Sequence, residues 1–144
     1  MTPVEVLEAA RRHGFGGVFF RTILDLSPQL DAGELREIHE RAEDLGLYLE
    51  TGLGKVNPFA TPETPELRAA GDGDILLGFR RMMEAAARIG CRELWAATAT
   101  YQLGYGNRFI WDRFRTDAPW PEQLEATYRF LVSLRPIALD LGCH

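Results

Sequence analysis

Apolar positions along the chain alternate between helical spacing and short continuous runs. The first segment starts with a capping-box pattern, Thr2 with Glu5 three residues later, and Gly14 is a typical helix stop. We therefore predict a helix over residues 3–13. The run GGVFFRT, residues 16–22, follows at once and indicates a strand.

The same order of helix, glycine and apolar run returns three more times. Asp31 and Glu34 repeat the capping pattern, and Pro136 lies inside the last helical segment, where it predicts a kink or two shorter helices. The later helices and the runs that follow them are residues 31–46 with LYLET, 74–90 with CRELWAATAT, and 121–142 with the terminal CH. The chain therefore reads as a series of helix–strand units.

Strands that alternate with helices of ten or more residues pair in parallel through right-handed crossovers. The runs show little polar alternation, so we expect the sheet to be buried on both faces. The 144 residues are predicted to form one α/β domain over 1–144. No strand precedes the first helix, and a fourth strand only begins at Cys143, so we expect the chain to be part of something larger.

Charge and cysteine content narrow the functional classes. The net charge of −5 argues against a nucleic-acid partner, which would require a basic face. Cys91 and Cys143 lie far apart and form no CxxC pair, so we predict buried free thiols. The sequence contains neither a signal-peptide pattern nor an apolar run of membrane-spanning length. We expect a cytoplasmic protein with no membrane partner.

Parallel strands gather their carboxyl ends at one rim, where barrel enzymes build their sites. The polar groups that end the predicted strands are Arg21, Thr22, Glu50, Thr51, Lys55, Thr98, Thr100 and Tyr101. Among them, Glu50 and Lys55 are the pair best suited to hydrogen-bond a polyhydroxylated ligand or to orient a metal-bound water. A salt bridge at the rim is the competing interpretation.

Two long connections separate the units. Residues 101–120 contain Tyr105, Trp111, Arg108, Arg113 and Arg115, and a long loop after a strand is often functional. It would act as a lid in which an aromatic ring stacks on a sugar and an arginine meets an anion, or its aromatics would simply anchor the loop. The other connection, residues 57–74, reads as a surface excursion.

Other motifs are interpreted structurally. TGLGK, residues 51–55, lacks the full phosphate-loop spacing and favours a turn. GDGD, residues 71–74, lacks the later positions of a calcium loop and favours a helix cap. His13 and His39 are expected on solvated helix faces, and nothing in the sequence tests a role for His144.

Three phrases carry a family resemblance: EVLEAARRHGFGGVFF, AEDLGLYLETGLGKVNP and AARIGCRELWA. They resemble the N-terminal half of the xylose isomerase-like barrels of the sugar phosphate isomerase/epimerase group. The resemblance implies a partial (β/α)8 TIM barrel that lacks the first strand and the C-terminal half. It also implies a divalent metal, Mn, Mg, Co or Zn, held at the fifth to eighth strands. No metal ligand or catalytic residue is therefore expected in this chain.

The resemblance implies a fragment of a metal-dependent sugar or sugar-phosphate isomerase or epimerase, working through an enediol-like intermediate and inactive alone. The residues expected to touch a sugar or polyol are Arg21, Glu50, Lys55, Thr100, Tyr101, Arg108 and Trp111. The alternative is a non-catalytic sugar-binding or self-associating half-barrel module, dimeric through its open sheet edges. A flavodoxin-like nucleotide-binding domain is disfavoured, since no glycine-rich phosphate fingerprint is present.

Overall fold

A computed structural model describes residues 1–55, 71, 74–97, 101–104, 108–111 and 120–143. The described part contains the helices α1 (Pro3–Arg12), α2 (Ala32–Asp44), α3 (Ile75–Arg88) and α4 (Trp120–Leu141), and a 3₁₀ turn at Ile23–Asp25. The strands are β1 (Gly17–Phe20), β2 (Tyr48–Lys55), β3 (Leu94–Ala97), β4 (Tyr101–Gly104) and β5 (Arg108–Trp111). None of the helices in the described part is long and apolar enough to cross a membrane.

The helix starts follow the capping residues of the sequence. The Thr2 hydroxyl accepts the Glu5 N–H, and the Glu5 carboxylate accepts the Thr2 N–H at 2.7 Å, which confirms the capping box. Asp31 caps α2 by accepting two backbone N–H groups, but its expected partner Glu34 instead accepts a 2.6 Å hydrogen bond from the buried Ser27 hydroxyl. Asp74 caps α3, which confirms the cap interpretation of GDGD.

The helix of each helix–strand unit is followed by a glycine with a left-handed backbone. The φ angles are 81° at Gly14, 63° at Gly46, 79° at Gly90 and 64° at Gly142. An L-residue with a Cβ rarely adopts this conformation, so glycine ends the helix there and frees the chain to turn toward the next strand. The predicted glycine stop is confirmed after all four helices, whereas no strand follows Gly142 within the described residues.

Three strands form a parallel sheet in the order β1-β2-β3. Gly17 lies opposite Tyr48 and Thr51 opposite Leu94, with an irregularity in β2 between Gly52 and Gly54. The parallel pairing predicted from the alternation of helices and strands is confirmed. The arrangement is that of part of a (β/α)8 barrel.

The two faces of this sheet differ sharply. The helices cover one face and pack with it into a single core that includes Leu7, Phe20, Leu35, Phe79 and Met82. Phe79 is fully buried and meets the edge of Phe130 with ring centroids 5.1 Å apart. The opposite face, which we call the inner face, carries Phe19, Tyr48, Glu50 and Trp95. Its aromatic rings are exposed, so the expectation of burial on both faces is wrong for the described residues.

Three further expectations require correction. TGLGK is the second half of β2 rather than a turn, because these residues pair with β3 through Lys55. Pro136 lies within one continuous 22-residue helix, so the alternative of two shorter helices is wrong. Residues 101–104 and 108–111 form an antiparallel pair of strands inside a segment expected to be one irregular loop. Of the connection at 57–74, residues 57–70, 72 and 73 lie outside the described part.

Candidate functional site: the carboxyl rim of the sheet

The carboxyl ends of the parallel strands lie at one edge of the sheet, as the predicted rim requires. β1 ends at Phe20 and is followed by Arg21 and Thr22, while β2 ends at Lys55 and β3 at Ala97. The structure describes the backbone of Lys55 in strand geometry. Because β1, β2 and β3 run parallel, their carboxyl ends form the rim together.

The segment after β1 folds across β2. Thr22 forms an isolated antiparallel bridge with Leu53, and its hydroxyl accepts the Leu24 N–H at 2.9 Å, which caps the 3₁₀ turn. The backbone carbonyl of Arg21 approaches Gly52 so closely that a Cβ at position 52 would collide with the carbonyl oxygen. Gly52 is therefore the residue that permits β1 to end against β2.

The Arg21 side chain projects from this rim. It is 86% exposed, and its Nε lies 3.4 Å from Oδ2 of Asp25, one turn further along the chain. An ion pair with this exposure contributes little to stability. The guanidinium therefore keeps most of its donors for another partner.

Glu50 does not lie at the end of its strand. It is the third residue of β2, directly opposite Phe19, and the strand continues for five residues to Lys55. At about 3.3 Å per residue, this separation places the two backbone positions roughly 16 Å apart. Glu50 therefore lies on the inner face below the rim, and within the described part its carboxylate forms neither an ion pair nor a side-chain hydrogen bond.

Three aromatic residues on the inner face were not predicted as functional. The rings of Phe19 and Trp95 meet edge to face across β2, with centroids 6.3 Å apart and planes at 85°. The Tyr48 ring lies over Gly17, where it occupies the space that a Cβ would take. The signal that could have found them is the period of two at positions 17, 19 and 21 and at 48, 50 and 52.

The structure describes only some of the remaining predicted site residues. Tyr101, Arg108 and Trp111 lie in the β4–β5 pair, where Tyr101 is directly opposite Trp111. Thr51 is buried at the centre of the sheet and is removed from any ligand on the open side. The residues that lie outside the described part are Thr98, Thr100, Tyr105, Arg113, Arg115 and His144.

Neither a metal site nor a perturbed acid pair is found within the described ranges. No three side chains among His, Cys, Asp and Glu come together there in a group that could hold an ion. The described residues therefore offer no donor set for a divalent metal. Burial raises the pKa of Cys91 and of Cys143, which are free thiols in the structure, as predicted.

The histidine on α2 has a more specific position than predicted. His39 was expected to be solvated, yet its side chain is only 33% exposed. Its Nδ1 lies 3.0 Å from the Ile89 carbonyl oxygen, and its Nε2 lies 3.7 Å from a Glu43 carboxylate oxygen. His39 therefore links α2 to the carboxyl end of α3 and has a structural role, whereas His13 is exposed at the end of α1.

Comparison with known proteins gives a match in structure but not in sequence. No family profile matches the chain, and no curated protein matches its sequence. A D-psicose 3-epimerase solved in the presence of D-fructose superposes on 100% of this chain with a TM-score of 0.67 and 19% identity. The D-psicose 3-epimerase from Clostridium cellulolyticum H10, solved with D-tagatose, superposes on 97% with a TM-score of 0.69 and 12% identity.

These comparisons establish the fold class. The chain has the fold of part of a barrel of the type seen in the D-psicose 3-epimerases. It spans 45% and 44% of the length of the two solved chains. The comparisons therefore show the fold of this chain, and its activity toward a sugar is proposed below.

Proposed function

We propose that this chain forms one wall of a sugar-binding site in a metal-dependent sugar isomerase or epimerase, and that it is inactive without the rest of such a site. The observation that carries the proposal is the parallel sheet with Arg21 and Lys55 at its carboxyl rim, in a fold similar to two enzymes solved with D-fructose and D-tagatose. A rim of this kind is where barrel enzymes bind substrate.

In this proposal the Arg21 guanidinium donates hydrogen bonds to sugar hydroxyls, since most of it is free of Asp25. Lys55, Thr100, Tyr101, Arg108 and Trp111 complete the wall, while Glu50 orients the ligand from below. A general base typically supplies roughly 10²–10⁴ in rate, and a metal polarises the carbonyl during enediol formation. Both groups would be supplied by residues other than those described here.

Ligand-observed NMR and calorimetry with D-fructose, D-tagatose and D-psicose test the binding role. We expect weak saturable binding that Arg21→Ala reduces by roughly tenfold, the size expected when hydrogen bonds from a charged group are lost. The matched control is Arg36→Ala, because Arg36 is also exposed and lies on the surface of α2, away from the rim, where it pairs with Glu40. Absence of binding, or equal loss in both variants, would contradict the proposal.

Chromatographic assay of the same sugars with added Mn²⁺, Mg²⁺, Co²⁺ or Zn²⁺ tests the catalytic part. We expect no epimerised product from this chain. Turnover would show that the chemistry resides within these 144 residues.

The second candidate is a non-catalytic module that binds a sugar or associates with itself. The observation in its favour is that β1 and β3 each pair on one side only within the described sheet. Free parallel edges accept further strands. Sugar binding that persists in a dimer without turnover would favour this module.

A further inference from the structure

The segment that joins β1 to α2, residues 21–31, is held in its shape by a buried serine. We call it the rim segment, because it begins with Arg21 at the carboxyl rim of the sheet. Ser27 is 0% exposed, and its backbone N–H donates to the Ile23 carbonyl oxygen at 3.2 Å. The 3₁₀ turn that follows Arg21 is therefore tied directly to Ser27.

The Ser27 hydroxyl ties the rim segment to the first turn of α2. It donates to Oε2 of Glu34 at 2.6 Å and accepts the Asp31 N–H at 2.9 Å. Burial of a hydroxyl is costly unless it is hydrogen-bonded, and a bond to a carboxylate is stronger than one between neutral groups. Because Asp31 caps α2 and Glu34 lies in its first turn, the start of α2 holds Ser27 in place.

The backbone of Leu30 shows that this shape is imposed on the rim segment. Among the described residues, Leu30 alone has a left-handed backbone without being glycine, with a φ of 53°. Its side chain packs against the core, and its N–H donates to the Ser27 carbonyl oxygen at 3.0 Å. A bulky residue rarely adopts such a φ, and strain of this kind persists only where the surrounding contacts enforce it. Strained residues cluster at functional sites, and here the strain lies in the segment that presents Arg21.

We propose that Ser27 is a positioning residue, through which the start of α2 fixes Arg21 at the rim before a ligand binds. This inference rests on the proposed sugar site, and it names what holds that site in shape. The other end of the rim segment is anchored as well, since Thr22 forms a backbone bridge with Leu53 of β2. A loop that is ordered in advance loses little conformational freedom when a ligand binds, which strengthens binding.

Amide hydrogen exchange measures whether Ser27 fixes the rim segment. The N–H groups of Leu24 and Leu26 are hydrogen-bonded within the segment, so both should exchange slowly. Ser27→Ala removes the hydroxyl and should speed both by roughly tenfold or more, the size expected when a hydrogen bond to a charged group is lost. The matched control is Ser133→Ala, which removes a 2.6 Å bond from a hydroxyl to a carbonyl oxygen within α4, outside the rim segment. It should leave both rates unchanged relative to those of α3.

The carboxylate that accepts from the Ser27 hydroxyl gives a second pair of variants. Glu34→Gln keeps an oxygen that can accept this bond and should stay close to the wild-type exchange rates, whereas Glu34→Ala should resemble Ser27→Ala. Glu34 is exposed, so neither change leaves a cavity. No increase in exchange, or an increase that is uniform over α3 and the rim segment, would overturn the proposal, because Ser27 would then serve the fold as a whole.

Sugar affinity separates a positioning role from a purely structural one. Ser27→Ala should raise the D-fructose dissociation constant severalfold in the wild-type background and leave it unchanged in Arg21→Ala, because Ser27 acts through Arg21. Equal losses in both backgrounds, or no loss in either, would contradict the positioning role. If the wild-type chain binds none of the sugars, the proposed function fails, whereas the exchange rates still decide whether Ser27 fixes the segment.

Two substitutions at Leu30 measure the strain in the rim segment. Both remove the contacts of the leucine side chain, but Leu30→Gly relieves the left-handed strain, whereas Leu30→Ala retains it because alanine has a Cβ. In urea unfolding, the equilibrium constant for folding should be about fivefold larger for Leu30→Gly than for Leu30→Ala. A glycine variant no more stable than the alanine variant would overturn the claim that the contacts of Ser27 enforce this shape.

Discussion

Phe19 and Phe20 are neighbours in the sequence, yet the structure places them in opposite environments. Phe20 is 8% exposed and belongs to the core under the helices, whereas Phe19 is 52% exposed on the inner face. The difference follows from the strand, in which successive side chains point to opposite faces of the sheet. The helix-covered side therefore holds the buried core of the described part, whereas the inner face leaves its aromatic rings exposed.

The largest expected effect comes from breaking the helix-covered side at its centre. Phe79→Ala removes a fully buried ring and its edge-on contact with Phe130. Truncations of this kind cost about 3–5 kcal/mol because they remove buried area and leave a cavity. Urea unfolding followed by circular dichroism measures the loss in the free energy of unfolding.

Phe19→Ala is the matched control on the inner face. It removes the same ring, but from a half-exposed position with one aromatic partner, Trp95. An aromatic pair contributes about 0.5–1.5 kcal/mol beyond its buried area. The loss in the free energy of unfolding should be clearly smaller than for Phe79→Ala. Equal losses would mean that the inner face belongs to the core.

The next largest loss of stability is expected at Gly52, where the end of β1 contacts β2 at the rim. Gly52→Ala introduces a Cβ that collides with the Arg21 carbonyl oxygen, a backbone atom that cannot move aside without shifting the end of β1. Overpacking of this kind costs about 1–3 kcal/mol. The readout is the midpoint of urea unfolding.

Gly16→Ala serves as the control for the glycine at position 52. Nothing lies within 4 Å of a Cβ built at Gly16, and its φ is not left-handed. Substitutions at such surface sites usually change stability by less than about 0.5 kcal/mol. If Gly52→Ala proves as mild as Gly16→Ala, the close approach of Arg21 to β2 is not a constraint on the rim.

The sequence predicted the parts of this fold that depend on local signals. Thr2, Asp31 and Asp74 cap their helices through neighbours within three residues, and a left-handed glycine ends each unit. Their physical causes lie within a few residues, so the pattern alone was sufficient. The parallel order of β1, β2 and β3 followed from the alternation of those units.

The parts that were missed depend on contacts between distant residues. The two consecutive phenylalanines of β1 conceal its period of two, so the sequence predicts burial on both faces where the structure has one open face. The sequence pattern ends the second strand near Glu50, because the local sequence does not show that Gly52 to Lys55 pair with β3. Glu34 was assigned to a capping box, yet the buried Ser27 engages it instead.

The buried cysteines make the stability of the helix-covered side depend on pH. Burial raises the pKa of Cys91, so the folded state holds the thiol proton more tightly than the unfolded chain does. The stability contributed by this group is fully present below about pH 8.5, the ordinary thiol pKa, and is lost as the pH rises through the folded value. Urea unfolding from pH 7 to 10 should show this decline.

Cys91→Ala should reduce the decline and leave the part that Cys143 contributes, since alanine does not titrate and the pKa of Cys143 is also raised by burial. Thiol reagents should also modify Cys91 and Cys143 slowly in the folded chain and rapidly in urea, because these side chains are 1% and 2% exposed. Fast modification of the native protein would show that the helix-covered side opens readily.

The smallest expected effect comes from the outer surface of the helices. The Arg41 guanidinium lies 2.6 Å from the Glu8 carboxylate and joins α2 to α1, with the two side chains 39% and 37% exposed. Pairs at this exposure contribute about 0.2–1 kcal/mol, which a double-mutant cycle of Glu8→Ala and Arg41→Ala should measure. The cycle for Arg36 and Glu40, which are 3.9 Å apart and more exposed, should give a coupling near zero. Coupling that survives high salt would indicate that the contact between α1 and α2 relies on packing around the pair, since exposed charges are screened.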